Sequence, residues 1–303
     1  MSLDTDQIID RRRLKRRLTF WRIAAVIAAV GIAALALGRD AQLVGRDVVA
    51  RLAVEGLIID NPARHELLRD LSVDAGVKAL IVHINSPGGT VVGGEALYDS
   101  LRKFAEKKPV VAVMGETATS AAYMVALGAD RIFAHAGSIT GSIGVLMQTA
   151  DVTRLLDKIG IKPESIKSGA LKAQPNPMEP FTEQARAAIR EVVLDLYDMF
   201  VGMVENRRNM TAEQARTLAD GRVFTGRQAR KNGLVDELGG QAAARKWLAK
   251  ARKIDPQLPI RDVGRRPLSD SWRDLFGEII GKILFSERLR LDGPISVWHP
   301  ELP

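Results

Sequence analysis

The 303-residue chain has no cysteine, only four histidines and few aromatic residues, 5% in all. The lack of cysteine excludes disulfides, cysteine-ligated zinc and a thiol nucleophile. It says little about compartment, because a chain of this length can bury a core without cross-links. The histidines (His65, His83, His135 and His299) are scattered, and none sits in a recognisable motif. H-E-x-x-H is absent, and the letters of G-x-S-x-G occur in "GSITGSIG" only at the wrong spacing. Nothing therefore points to a metal, or to a Ser-His-Asp triad. Scarce aromatics beside abundant Ala, Val, Leu and Ile favour α/β packing over a ring-lined binding surface. The net charge of +8 invites a nucleic-acid reading, but its distribution argues against one. Residues 1–22 hold seven Arg/Lys against three Asp, an excess of +4, so the other 281 residues share an ordinary +4.

The amino terminus reads as a membrane address. In "RRRLKRRLTFWRIAAVIAAVGIAALALG", six basic residues at positions 11–17 precede Ile23–Gly38, which carries no charge. A spanning helix needs about 20 residues. The segment 19–38 meets that length, with Arg22 at the edge, where it can snorkel toward head groups. Residues 1–18 are then a basic leader kept in the cytoplasm, 19–38 an uncleaved signal anchor, and the rest lies outside. Ala34-Leu35-Ala36 also suits a cleavage site, so a removed signal peptide stays open.

Past the anchor, strand-like and helix-like runs alternate, as in a parallel sheet with crossover helices. "RDVVARLAVEGLIID", "VKALIVHINSPGG" and "KPVVAVMG" read as strands; "GGEALYDSLRKFAEK", "TSAAYMVALGAD" and "DVTRLLDKIGI" read as helices. "RIFAHAGSITGSIGVLMQT" reads as two short strands about a turn, and "KPESIKSG" as a strand or sheet edge. From Thr182 a long helix is expected, then one opened by a Thr211/Gln214 capping box, then helices over "TGRQARKNGLVDELGG" and "QAAARKWLAKARKI". A globular domain over 39–255 results. Residues 256–303 read as a linker, an amphipathic helix and a tail. In that helix Trp272, Leu275, Phe276, Ile279, Ile280, Ile283 and Leu284 share one face, suited to core packing, a subunit contact or a membrane surface.

Ser120 lies among small residues in "MGETATSAAYMVALGADRI", just after a strand-like run. As a nucleophile it needs a base; a Ser-His-Asp triad is not excluded, but with no histidine in a motif and no cysteine, a neutral lysine is the known route that the sequence offers. Free lysine titrates near ~10.4, so such a base must be desolvated, at a cost to its ammonium of roughly 3–4 kcal/mol. "SIKSGALKAQPNP" supplies Lys167 and Lys172, and spacing alone does not choose between them. "NSPGGTVVGG" lacks the Lys-Ser/Thr of a P-loop and the spacing of a dinucleotide fingerprint. Its consecutive glycines suit either a plain turn or amides that hold an oxyanion.

Four stretches together resemble signal peptide peptidase A, the membrane-bound serine–lysine protease family: "HINSPGGTVVGGEALYDSL", "MGETATSAAYMVALGADRIFAHAGSITGSIGV", "SIKSGALKA" and "GRVFTGRQARKNGLVDELGG". They run in family order from about residue 48 to 250. The resemblance implies an α/β fold of Clp protease and crotonase type, with stacked β-β-α units, an N-terminal transmembrane helix, C-terminal helices and homo-oligomeric assembly. It places the nucleophile at Ser120 and the general base at Lys172, with both expected from one chain. Ser142 would orient the lysine, and the amides of Gly88, Gly89 and Ala121 would form the oxyanion site. No cofactor or metal is implied. The family commonly has Ser-Gly-Gly where this chain has Ser120-Ala121-Ala122, and the two methyls narrow the approach. Implied partners are signal-peptide remnants and other apolar or unfolded peptides, at the outer face of a bacterial cytoplasmic membrane, with no nucleic acid. Two other readings stay open: a catalytically inactive peptide-binding scaffold on the same fold and, more weakly, acyl-CoA chemistry.

Overall fold

The computed structural model describes residues 20–23 and 47–264. The rest of the expected anchor 19–38, and the amphipathic helix and tail, lie outside the described residues. Among the described residues no helix is long and apolar enough to cross a membrane.

A mixed α/β architecture is built on one eight-stranded sheet with strand order β6-β5-β3-β2-β1-β8. Its elements are β1 (Val48–Ile58), α1 (Pro62–Val73), β2 (Val77–Gly89), α2 (Val91–Ala105), β3 (Val110–Thr119), α3 (Ala121–Leu127), β4 (Arg131–Ala134) and β5 (Ile139–Gly141). Then come α4 (Thr153–Lys158), α5 (Glu183–Arg208), α6 (Ala212–Leu218), β6 (Val223–Thr225), α7 (Gly226–Lys231), β7 (Glu237–Leu238), α8 (Gln241–Arg252) and β8 (Ile260–Val263). Strand β3 forks. Its first half pairs with β4, from Val111↔Arg131 to Met114↔Ala134. Its second half pairs with β5, from Thr117↔Ile139 to Thr119↔Gly141. The pairings are parallel except for β5 with β6.

The continuous apolar runs of β1 to β3 follow from covering on both faces. Val48, Ala50, Leu52, Leu80, Val82, Ile84, Ala112 and Met114 enter one core with α1, α2, α3 and α5. Val49, Ala79, Ile81, Val111 and Val113 enter the other, with Ala244 and Leu248 of α8. Helix starts follow local chemistry. The side chains of Asn61, Thr90 and Thr182 accept backbone N–H bonds at the starts of α1, α2 and α5. The Thr211/Gln214 capping box is present as expected, and Thr225/Gln228 forms a second.

Three segments differ from the sequence reading. "KPESIKSG" joins no strand. The stretch read as a helix from Thr225 stops at Lys231, and its end supplies β7 instead. Residues 256–263, read as linker, contain β8, where Val49↔Ile260 to Leu52↔Val263 extend the sheet. The two that pair, β7 with β4 and β8 with β1, are short segments whose pairing is decided by a distant strand rather than by local pattern.

Candidate active site

Ser120 occupies the turn between β3 and α3 with φ 55 and ψ −125, a left-handed conformation unusual for a residue with a Cβ. It stands at the N-cap position of α3, yet its side chain makes no capping bond. The hydroxyl is thereby left for other work. Its amide donates to Gly141 O at 2.9 Å. Because Thr119 pairs with Gly141, the next residue on each strand is a serine, Ser120 and Ser142. Ser142 also has positive φ, 50, and its amide donates to Arg222 O at 2.8 Å. Both serines line one cavity of about 460 Å³, together with Gly89, Val91, Val145 and Leu146.

The Ser-Pro-Gly-Gly turn lies against this turn. Ser86 Oγ donates to Gly56 O at 2.6 Å, and Thr119 Oγ1 donates to Pro87 O at 2.9 Å. Gly88 has φ +118, and a Cβ there would stand 2.9 Å from Ser120 Cβ. Its role is close approach, because its amide already donates to Ser86 Oγ at 3.1 Å. Gly89 borders the cavity, and a Cβ on it would collide with Ile58 O at 1.9 Å. Ala121 is at the first position of α3, where amides lack intrahelical acceptors. Both Ala121 and Ala122 are helical and buried. Positive φ falls on Ser120 instead, so the Ala-Ala pair fits its backbone. The Ala121 methyl is accommodated by Gly94 of α2, whose own Cβ would come 3.0 Å from it.

The two lysines have different surroundings. Lys167 Nζ donates to Glu179 Oε2, within an ion pair of which the lysine side chain is 15% exposed. Lys172 is exposed on a turn, where its amide donates to Gly169 O, and it is not among the residues lining the Ser120 cavity. The structure thus brings Ser120, Ser142 and Gly89 together, with Gly88 and Ala121 beside them. Lys172 is exposed and is not among the residues lining that cavity. A second cavity of about 610 Å³, lined in part by Asp151, Asn176, Glu179, Phe181 and Arg186, shares Leu146 with the first.

Two features that hold this site went unnoticed in the sequence. Arg207 and Arg208 end α5. Arg207 donates to Leu127 O at 2.9 Å and Ala129 O at 3.0 Å, at the carboxyl end of α3. Arg208 donates to Gly233 O at 2.7 Å and to both Asp236 oxygens at 2.8 and 3.1 Å. Asp236 also accepts from Ile132 N, while buried Tyr123 of α3 donates to Leu234 O at 2.9 Å. The "NGLVDELGG" stretch therefore braces α3 from behind, while Gly221, which opens the longer stretch "GRVFTGRQARKNGLVDELGG", borders the Ser120 cavity. Two basic residues closing a long helix were the available signal.

The family model for "Peptidase family S49" matches residues 102–255, about half of the chain. A Synechocystis sp. protein, slr0021, provisionally named a protease, is 38% identical over 213 residues, 70% of this chain and 76% of its own. An Enterococcus faecium protein, provisionally named signal peptide peptidase SppA, is 33% identical over 220 residues, 68% of this chain and 64% of its own. Protease 4 of Haemophilus influenzae is 32% identical over 203 residues, 63% of this chain but 32% of its own. With half of its length matched by the family model and a 38% identical relative covered over three quarters, the chain belongs to peptidase family S49, the SppA family of proteases.

Proposed function

We propose that the chain is a serine endopeptidase of Ser–Lys type, anchored through residues 19–38 with its globular part outside a bacterial cytoplasmic membrane. Its substrates are signal-peptide remnants and other apolar or unfolded peptides. The observation that carries this reading is Ser120: a left-handed strand-to-helix turn whose hydroxyl does not cap its own helix and opens on a cavity. Backbone held in a sparsely populated region costs of order 1–3 kcal/mol and clusters at functional sites.

In the reaction Lys172, neutral, takes the Ser120 proton as Oγ bonds to the peptide carbonyl carbon. The amides of Gly89 and Ala121 hold the oxyanion, and Gly88 supplies the close approach. The C–N bond breaks as the lysine ammonium returns the proton to the leaving amine. Water, deprotonated by the same lysine, then attacks the acyl carbon; the ester C–O bond breaks, and the lysine ammonium returns the proton to Ser120 Oγ as the acid leaves. Ser142 orients the amine. The lining of Val91, Val145 and Leu146 suits apolar side chains. Residues 142–150 leave the sheet after Gly141 and pair with no strand among the described residues, so an extended peptide can add alongside them.

Lys172 reaches Ser120 from a neighbouring copy in this reading, on a fold of Clp protease and crotonase type with stacked β-β-α units. Support comes from the segment that bears it. Leu146 is 80% exposed and Ile166 fully so, with Leu155, Ile161 and Met178 also exposed. Such apolar exposure on one segment marks a contact surface. The test is peptide turnover and labelling by a fluorophosphonate serine probe. Ser120→Ala and Lys172→Ala are each expected to lower turnover by about a thousandfold or more while assembly persists. Full turnover in either variant sinks the dyad. A folded wild-type protein that neither cuts peptides nor takes the probe is the inactive scaffold instead.

A further inference from the structure

The carboxylate of Glu179 has more to do than neutralise one lysine. Its Oε2 accepts from Lys167 Nζ and from Gln174 Nε2 at 3.0 Å. Its Oε1 accepts from Ser165 Oγ and from Asn176 Nδ2 at 3.1 Å. A carboxylate has about four acceptor sites, and here all are used. The donors come in two pairs, Ser165 and Lys167 before Lys172, and Gln174 and Asn176 after it. One side chain thus closes residues 167–174 into a ring, with Lys172 on its outer turn. Two costs inside the ring indicate that the closure is imposed. Ala173, next to Lys172, is held at φ 62. Gln174 keeps its Oε1 buried with no partner among the described residues, which leaves its amide nitrogen facing Glu179. The opposite amide orientation would set an oxygen against the carboxylate.

We propose that Glu179 is a positioning residue, pinning both ends of the 167–174 loop so that Lys172 is presented outward while Lys167 is held out of the reaction. The inference rests on the reading of Lys172 as general base. It also gives a reason why one lysine of the K-S-G-x-x-K pattern serves and the other does not: Lys167 is spent as an ammonium donor inside the clamp. Glu179→Gln keeps size but removes the charge and replaces an acceptor oxygen with a donor, so at least one of the four bonds, that of Lys167 or of Asn176, is opposed.

The experiment uses the purified full chain in detergent, with Glu179→Gln, Lys172→Ala and the double variant. Peptide kcat and KM, the rate of Ser120 labelling by a fluorophosphonate probe, and acylation of Lys167 followed by mass spectrometry are measured. Glu179→Gln is expected to lower kcat about 10- to 100-fold, the scale of a misplaced catalytic group, with KM little changed. Ser120 labelling slows in parallel, and Lys167 acylation rises several-fold. Added to Lys172→Ala, the same change has no further effect, because it acts only through that lysine. Should Glu179→Gln fail to fold, Ser165→Ala removes one donor and is expected to give a smaller loss of kcat in the same direction. Wild-type kcat in Glu179→Gln, or an equal loss on the Lys172→Ala background, overturns the clamp while leaving the dyad intact. Wild-type turnover in Lys172→Ala overturns the dyad reading, and the clamp with it.

Discussion

At the scale of single residues, the site turns on atoms that glycine omits and on a serine that accepts a strained backbone. Gly88 shows this most directly, since its φ of +118 and its approach to Ser120 both exclude a side chain. Gly88→Ala is expected to lose about 1–3 kcal/mol of stability in denaturant unfolding, through combined strain and steric overlap. Turnover should fall further than the stability loss explains, because the displaced neighbour is Ser120 itself. Unchanged turnover would remove the Ser-Pro-Gly-Gly turn from the site. The Ser120-Ala121-Ala122 sequence looked like a departure that crowds the nucleophile. Both alanines are helical and buried, the Ala121 methyl lies against Gly94 of α2, and neither is among the residues lining the cavity.

At the scale of elements, α3 is a seven-residue helix too short to be stable alone, and it is held from outside. Its start is tied by Ser120 N–H to Gly141 O, its end by Arg207, and its buried face by Tyr123 to Leu234 O. Burial pushes the Tyr123 phenol well above its ordinary range. The folded protein therefore keeps this proton at a pH where the unfolded chain releases it. Stability from this group is complete below about pH 10 and declines as pH rises beyond it. Thermal unfolding across pH 8 to 11 is expected to show that decline, and Tyr123→Phe to flatten it while costing about 1 kcal/mol at neutral pH for the lost bond. An identical alkaline slope in the variant would assign it to other groups. The elements themselves were readable where local signals are strong. The run "VKALIVHINSPGG" is β2 to the residue, and Thr211/Gln214 caps its helix. Strand β8 was not readable, because four residues among prolines become a strand only when β1 offers its edge.

At the scale of the whole molecule, one sheet with helices on both faces delivers the ends of β2, β3 and β5 to the same place, and the two serines follow from the β3–β5 register. Lys172 is not among the residues that line that cavity. Co-assembly of Ser120→Ala with Lys172→Ala subunits, each inactive alone, is expected to restore part of the turnover, since mixed assemblies contain intact serine next to intact lysine. A mixture as inactive as its parents would place both groups of the working site in one chain.

The residue types were enough to exclude thiol and cysteine-metal chemistry, to outline the alternation of strands and helices, and to nominate Ser120 with two candidate lysines, because those inferences rest on composition and local periodicity. Which lysine is tied up, which amide is already engaged and where strain is stored depended on tertiary structure. Each is decided by how the folded chain places side chains and backbone against one another, as where Glu179 closes its ring and Gly141 of β5 meets Ser120, and residue pattern alone does not encode those geometries.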